Sequence, residues 1–193
     1  MEDKAGVEGD ADREIATLGS RLIYENRWMR LREDAIRRRD GTQGIYGVVE
    51  KPDFVVVAPV EPDGSVHLVE QYRYPVGARY WEFPQGTWEG EPDADPLALA
   101  RGELEEETGL AAAEMIDAGY LLQGYGFSTQ GYHVFLARGL TPTARRLDPE
   151  EQGLITRRFP AAELTRMIRE GEIQDASTVA AMGLLVLKGL MRA

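Results

Sequence analysis

The segment GTWEGEPDADPLALARGELEEETGL, residues 86–110, decides the fold of this chain because it carries both boundaries of a helix. Asp95 is a good N-cap, and Pro96 is tolerated at the first helical position, where its missing N–H is not needed. Gly109 ends a helix readily because it adopts the left-handed conformation that other residues resist. The segment therefore predicts a helix from about Pro96 to Thr108.

Glutamates concentrate in the second half of this predicted helix. At about 100° per residue, the side chains of Glu103, Glu106 and Glu107 share one face, which borders the apolar stripe of the helix, whereas Glu105 points away. Carboxylates this close repel one another unless a cation or a proton intervenes, and hard oxygen ligands suit Mg²⁺ or Mn²⁺. The pattern predicts a metal-binding face, with a solvated acidic face as the alternative.

Composition restricts the kind of protein and of partner. The 193 residues, 43% of them apolar, are enough for one substantial core with an appendage. The absence of cysteine excludes disulfides, thiolate metal sites and cysteine nucleophiles. A net charge of -11 disfavours binding to nucleic acid or to an anionic membrane. The N-terminus does not resemble a signal peptide, and no apolar run reaches the roughly 20 residues of a membrane span, so we expect a soluble, cytoplasmic protein.

The order of strand, turn and helix patterns divides the chain into three parts. Residues 1–20 are charged and small, and we expect a disordered acidic tail there. Residues 21–50 alternate and carry an Asp40-Gly41 turn, which predicts a small N-terminal unit of two or three antiparallel strands. Residues 51–193 combine strands with helices on two sides, which predicts an α/β/α sandwich around a mixed sheet.

Within the third part, apolar runs and caps predict individual elements. The run FVVVAPV, residues 54–60, is typical of a buried strand, and VHLVEQYRY, residues 66–74, is predicted to be its hairpin partner. A helix is expected over Ala161–Arg169, and Asp175 or Ser177 is expected to cap a final helix.

The glutamate-rich segment resembles the sequence box of the Nudix hydrolase family, which reads G, five residues, E, seven residues and R-E-U-x-E-E-x-G-U, where U is aliphatic. The matching residues are Gly86, Glu91, Glu103, Leu104, Glu106, Glu107, Gly109 and Leu110. The spacing from Gly86 to Glu103 is two residues longer than in the family, and Gly102 replaces the arginine of the box. Arg101 lies about 100° round the helix from that position, so it does not replace the missing side chain.

Further segments resemble the subfamily of ADP-ribose pyrophosphatases and related nucleotide-sugar hydrolases. They are YENRWMRLRED, IYGVVEKPDF, LVEQYRYPVG, EFPQG, GFSTQGYHVFLA and EIQDASTVA, which together span residues from about 21 to 180. The resemblance implies a Nudix-type fold and Mg²⁺-dependent cleavage of a diphosphate by water, with a nucleoside monophosphate and a sugar phosphate as products. It also implies a homodimer in which residues 21–50 contribute much of the interface.

The resemblance assigns candidate metal-binding and catalytic roles. The metal ligands that it implies are the side chains of Glu103, Glu106 and Glu107 and the main-chain carbonyl of Gln85. Glu106 is also a candidate catalytic residue. Relatives often place the glutamate that acts as general base in the loop that Ser128-Thr129-Gln130 occupies here, or just before the strand that follows the second loop. Gln130 cannot accept a proton at neutral pH. Glu151 is therefore our candidate for the general base, with an ordinary loop carboxylate as the alternative.

Four residues are candidates for substrate binding. The guanidinium of Arg73 offers paired donors to a phosphate oxyanion, with an exposed strand arginine as the alternative. Glu82 is predicted to support Arg73 as a salt-bridge partner or to lie behind the metal ligands. Trp28 and Tyr46 offer aromatic faces that stack on a base, with core packing as the alternative for either residue.

The sequence is consistent with three alternative functions. The first is hydrolysis of a nucleoside diphosphate sugar, with ADP-ribose the first candidate substrate. The second is removal of diphosphate from RNA 5′ ends, which the PQG before the box suggests and the acidic charge disfavours. The third is a non-catalytic nucleotide-sensing module, which Gly102 in place of arginine and Gln130 in place of an acid both suggest.

Overall fold

The computed structural model describes residues 14–87, 94–145 and 153–192, which form two compact units. The first unit contains the described residues up to Pro52 together with Gly124–Gln130, and the second contains the remaining described residues. The division near residue 50 is close to the boundary predicted from the sequence, but the sequence pattern did not assign Gly124–Gln130 to the N-terminal unit. None of the helices in the described ranges has the length and apolar content that a membrane span requires.

The first unit is built on a three-stranded antiparallel sheet. Its strands, in the spatial order β1-β2-β3, are β1 (Ile15–Glu25), β2 (Arg30–Arg38) and β3 (Gln43–Glu50). The strands confirm the predicted antiparallel sheet, and Gly41 lies in the β2–β3 turn with φ of 84°. The sequence-based limit of the acidic tail at residue 20 was wrong, because pairing of Ile15 with Arg38 extends β1 to Ile15. The start of the predicted tail lies outside the described residues.

The segment Gly124–Gln130 is tied to the first unit by main-chain and side-chain hydrogen bonds. The Thr129 N–H donates to Val49 O over 3.0 Å. Gln130 is 9% exposed, and its Nε2 donates to Pro52 O over 2.7 Å. An ionised carboxylate has no hydrogen to donate to that carbonyl, so the carboxamide of Gln130 has a structural reason at this position.

The second unit contains two sheets. The mixed sheet has the order β7-β4-β9-β8, with β4 (Phe54–Pro59), β7 (Gln85–Gly86), β8 (Leu110–Leu122) and β9 (Gly131–Pro142). The antiparallel sheet has the order β10-β5-β6, with β5 (Val66–Arg73), β6 (Ala78–Glu82) and β10 (Ile155–Phe159). β4 is parallel to β9 and antiparallel to β7, so the predicted mixed sheet is confirmed.

The helices of the second unit begin and end close to the predicted residues. They are α1 (Pro96–Thr108), α2 (Ala161–Arg169) and α3 (Ala176–Leu187). The Asp95 side chain accepts a hydrogen bond from the Leu97 N–H, and Gly109 ends α1 with φ of 69°. Asp175, rather than Ser177, caps α3 by accepting from the Thr178 N–H.

Strand β4 is covered on both faces, which explains its uninterrupted apolar sequence. Val55 and Val57 pack in one cluster with Leu99, Ala100 and Leu104 of α1. Val56 and Ala58 pack in a second cluster, whose members from α2 and α3 include Leu164, Met167, Ala181 and Leu185. Successive side chains of a strand point to opposite faces. This arrangement of helices on both faces of the sheet confirms the predicted α/β/α sandwich.

The predicted hairpin between residues 54–60 and 66–74 is wrong. The turn forms, since the Gly64 N–H donates to Glu61 O over 2.9 Å, but β4 and β5 belong to different sheets. An isolated bridge between Val60 and Val66 joins the two segments. Both edges of β4 are already paired, with β7 on one side and β9 on the other, so β5 pairs with β6 and β10 instead.

Candidate active site

The second half of α1 carries the acidic face. Glu103 and Glu107 are 5% and 0% exposed, Glu106 is half-buried and Glu105 is exposed. The predicted helical phase is therefore confirmed, because Glu105 is the exposed member of the group. The alternative of a solvated acidic face is wrong for Glu103 and Glu107, since both carboxylates are removed from water. Burying a charged group is costly unless it has partners, and the Gln85 N–H is one such partner for Glu107.

Gly86 allows Glu103 to approach the backbone of β7. A Cβ atom on residue 86 would lie 2.5 Å from Glu103 Oε1 and 2.6 Å from its Cδ, which is too close for non-bonded atoms. On the neighbouring residue, the Gln85 N–H donates to Glu107 Oε2 over 2.9 Å. The two-residue strand β7 and the last turns of α1 therefore bring two carboxylates against one short piece of main chain.

The donors on this face suit a divalent cation. Carboxylate and carbonyl oxygens are the hard ligands that Mg²⁺ and Mn²⁺ prefer, and the absence of a side chain on Gly86 leaves room for the Glu103 carboxylate beside the main chain of β7. Across the three described ranges, no three carboxylate or imidazole groups converge on one point. Repulsion between like charges favours such separation. The predicted ligand set of Gln85, Glu103, Glu106 and Glu107 therefore stays a prediction.

Arg101 does not contribute to the acidic face. Its Nη1 donates to Ala112 O on β8 over 2.9 Å, and the residue is exposed. The side chain thus turns away from the position where Gly102 replaces the family arginine. An arginine at position 102 would lie one turn before Glu106, in the i, i+4 relation that holds a carboxylate in place. Because residue 102 is glycine, no side chain at this position can hold the Glu106 carboxylate in place.

Arg73 and Glu82 form an ion pair between β5 and β6. Arg73 Nε donates to Glu82 Oε2 over 3.2 Å, and Arg73 Nη2 donates to Oε1. Gln71 Nε2 donates to the same Oε1 over 2.9 Å. Burial raises the pKa of the Glu82 carboxyl, and the positive charge of Arg73 opposes that shift. The side chain of Arg73 is 40% exposed, against 2% for Glu82. The guanidinium is therefore held by a buried carboxylate and is still partly accessible to solvent.

The other predicted site residues belong to different parts of the chain. Trp28 and Tyr46 lie in the first unit and are 45% and 41% exposed, so neither is a core residue. The Arg27 guanidinium lies 4.2 Å from the centre of the Trp28 ring. The general-base candidate, Glu151, lies outside the described residues, as does Glu91 of the box. The substrate-binding and general-base roles stay predictions.

Sequence reasoning missed a buried polar network beside β7. Ser177 Oγ lies 2.7 Å from Gln85 Oε1 and 2.7 Å from Asp175 Oδ2, and the Phe83 N–H donates to Thr178 Oγ1 over 2.9 Å. Ser177 and Thr178 are 2% and 0% exposed. The partners in the Ser177–Gln85 and Phe83–Thr178 pairs are more than 90 residues apart in the chain, so no local pattern indicates these two hydrogen bonds. The segment EIQDASTVA contains Asp175, Ser177 and Thr178, but its sequence indicates only a helix cap and a family resemblance.

A separate cavity of about 370 Å³ lies between the start of α1 and strands β8 and β9. Its lining includes Asp117, His133 and Phe135 but none of the predicted site residues. The cavity is therefore distinct from the acidic face, whose residues occupy the other end of α1.

Comparison with models of known protein families agrees with the fold and with the acidic face of α1. Residues 50–182 match the NUDIX domain model, and residues 15–49 match the model described as the nucleoside diphosphate sugar hydrolase N-terminal domain. Because the NUDIX match covers well over half of the chain, this chain belongs to the Nudix hydrolase family. Nudix hydrolases generally need divalent metal ions.

Individual relatives and a solved structure give more specific matches than the family models do. The chain is 32% identical over 173 residues to the ADP-ribose pyrophosphatase of Mycobacterium tuberculosis (strain ATCC 25618 / H37Rv), covering 88% of this chain and 82% of the relative. It is 30% identical over 182 residues to the methanol dehydrogenase activator of Bacillus methanolicus, covering 93% and 96%. A crystal structure of an ADP compounds hydrolase shares the fold, with a TM-score of 0.79, 20% identity and coverage of 94% of this chain and 98% of that chain.

Glu106→Gln and Glu107→Gln are each expected to lower kcat at least about a hundredfold, because each removes a negative charge from the predicted metal face. Glutamine at position 107 keeps an oxygen that accepts from the Gln85 N–H, and Glu106 is only half-buried, so both variants are expected to fold. Glu105→Gln is the matched control on the exposed side of the same helix and should change kcat by less than about twofold. The measurement is kcat with ADP-ribose at saturating Mg²⁺. Full activity in both test variants would contradict the metal face, and a large loss at Glu105 would contradict the helical phase.

Proposed function

We propose that this chain is a Mg²⁺-dependent hydrolase that cleaves the diphosphate bond of a nucleoside diphosphate sugar, releasing a nucleoside monophosphate and a sugar phosphate. ADP-ribose is the first candidate substrate. The observation that carries the substrate class is the match of residues 15–49 to the N-terminal domain of nucleoside diphosphate sugar hydrolases, directly before the NUDIX domain. A relative that is an ADP-ribose pyrophosphatase, 32% identical to this chain, supports the same class.

Negative charge is the barrier that this reaction has to overcome. The phosphate oxygens repel an incoming water, and a bound divalent cation neutralises that charge and lowers the pKa of water. Glu103, Glu106 and Glu107 would hold the cation together with the Gln85 carbonyl. The burial of Glu103 and Glu107 supports this role, since carboxylates in a low-dielectric site attract a cation more strongly than carboxylates in water do.

The remaining groups bind the substrate and move a proton. The exposed side of the Arg73 guanidinium would bind a phosphate oxygen, while Glu82 holds the other side of the same group. Glu151 is the candidate that takes the proton from the attacking water as the bridging P–O bond breaks. Trp28 and Tyr46 present exposed ring faces for stacking on the base.

The proposed enzyme is a homodimer that uses the N-terminal sheet as an interface. Large apolar side chains of this sheet are exposed in the single chain, on strands β1 and β3. They are Ile15, Leu18, Leu22, Ile23, Tyr24 and Ile45, with exposures from 44% to 67%. Large apolar residues exposed in this number on one small sheet favour binding to another protein chain. The proposed partner is a second copy of the same chain.

The first prediction of the proposed function concerns the products. Incubation with ADP-ribose and Mg²⁺ should yield AMP and ribose phosphate, identified by mass spectrometry, and a metal chelator should abolish both. Triphosphorylated RNA should yield no diphosphate, because a chain with a net charge of -11 repels a polyanion. Products from RNA alone would favour the RNA 5′ pyrophosphohydrolase. Binding of nucleotide sugars without any product would favour the non-catalytic sensor.

A second prediction separates the two roles of the Arg73–Glu82 pair. Arg73→Gln should raise KM at least about tenfold, because a phosphate contact is lost, and should lower the free energy of unfolding by about 1–3 kcal/mol, because Glu82 stays buried without its cation. The double variant Arg73→Gln with Glu82→Gln should recover the stability but keep the raised KM. Recovery of KM in the double variant would show that Arg73 has a structural role only.

A third prediction tests the homodimer. Ile45→Glu places a charge on the most exposed apolar residue of the N-terminal sheet, so it should convert a dimer to a monomer without unfolding the chain. Leu187→Glu is the control, since Leu187 is 88% exposed but lies in α3 of the second unit. Light scattering at micromolar concentration measures both. A wild-type chain that is a stable monomer would contradict the proposal.

A further inference from the structure

We propose that Ser177, in the first turn of α3, is a positioning residue for the metal-binding loop and acts through the side chain of Gln85. The inference rests on the proposed function, in which the Gln85 carbonyl is a metal ligand. It goes beyond that function by assigning a role to a residue of α3, which is distant from the glutamate box in the sequence.

The loop Phe83–Gly86 is held on several sides by atoms that are distant in sequence. The Phe83 N–H donates to Thr178 Oγ1 over 2.9 Å, and Pro84 O accepts from the Val57 N–H over 2.9 Å. The Gln85 N–H donates to Glu107 Oε2, and Gly86 pairs with β4. These bonds hold the main chain of the loop. The Gln85 side chain is a further point at which this loop, and with it the Gln85 carbonyl, is held.

The Gln85 side chain is held by the cap of α3. Ser177 Oγ lies 2.7 Å from Gln85 Oε1 and 2.7 Å from Asp175 Oδ2. Gln85 Nε2 lies 3.4 Å from the same Asp175 oxygen, a long hydrogen bond that contributes little. The one hydrogen of the Ser177 hydroxyl is donated either to the Gln85 carboxamide oxygen or to the carboxylate that caps α3, and this hydroxyl is the nearer of the two partners of the Gln85 carboxamide.

Burial makes this link matter more than a surface hydrogen bond. Ser177 is 2% exposed, so water does not easily replace its hydroxyl, and the Asp175 carboxylate is fixed by the Thr178 N–H over 2.8 Å. A buried polar group that loses its partner costs more than the net value of the bond it made. An alanine at position 177 would release the Gln85 side chain, and the position of the Gln85 carbonyl would then depend on the main-chain hydrogen bonds of a two-residue strand alone.

This role predicts a change in metal affinity rather than in chemistry. Ser177→Ala should raise the Kd for Mn²⁺ about fivefold, as expected for the loss of one buried hydrogen bond, and should raise the Mg²⁺ concentration needed for half-maximal rate by a similar factor. The kcat at saturating Mg²⁺ should be close to that of wild type, because the glutamates and Arg73 are unchanged. Electron paramagnetic resonance of free Mn²⁺ measures the affinity without any turnover.

The matched control is Ser65→Ala. Ser65 is also buried, at 5% exposure, and its Oγ donates to the carboxylate of Asp63 over 2.6 Å, but it lies in the turn before β5. Both alanine variants should lower the melting temperature, whereas Ser177→Ala alone should weaken Mn²⁺ binding. A structural role of Ser177 without positioning would give the two variants the same Mn²⁺ affinity, which would overturn the inference.

A double-variant cycle tests whether Ser177 acts through Gln85. Gln85→Ala removes the other partner of the same hydrogen bond, the half-buried Gln85 side chain, and should weaken Mn²⁺ binding by a similar factor. Adding Ser177→Ala to it should cause no further loss. Independent, additive losses would overturn the inference, and Gln85→Ala with unchanged affinity would do so even if Ser177→Ala failed to fold. A wild-type chain that binds no Mn²⁺ would remove the proposed metal site itself, which is a different result from equal binding in wild type and Ser177→Ala.

Discussion

The packing of α1 against the two-residue strand β7 is the constraint on which the candidate site depends. It places the carboxylate of Glu103 where a side chain on residue 86 would otherwise lie, and it directs Glu107 to the Gln85 N–H. Because both glutamates are buried, their charges act in a low-dielectric environment, where attraction to a cation is strong. The apolar residues of the same helix, packed on β4, hold these carboxylates in that position.

The second unit stabilises this site from both sides of the sheet. Strand β4 contacts α1 through Val55 and Val57, and its alternate residues pack in the cluster that contains residues of α2 and α3. The same helix α3 sends Ser177 and Thr178 to the loop that precedes α1. The candidate metal-binding face is therefore not a property of one helix. It requires three segments that meet only when the sandwich has formed, so folding and the geometry of the site are coupled.

The N-terminal sheet differs from the second unit in what it buries. Its strands pair in a regular antiparallel register, yet many of their large apolar side chains are exposed in the single chain. Regular hydrogen bonding satisfies the main chain, whereas apolar side chains gain stability only when something covers them. This difference is the physical reason for the proposal that the sheet takes part in association.

The sequence alone determined the local features: the limits of α1 and α2, the exposed direction of Glu105, the antiparallel N-terminal strands and the membership of the Nudix family. Each depends on neighbouring residues, through caps, helical phase, alternation or a contiguous motif. Tertiary structure decided the pairing of β4 with β7 and β9 in place of β5, the assignment of Gly124–Gln130 to the first unit and the burial of Glu103 and Glu107. It alone brought Ser177 to Gln85, because a hydrogen bond between residues 92 positions apart leaves no periodic signal in the chain.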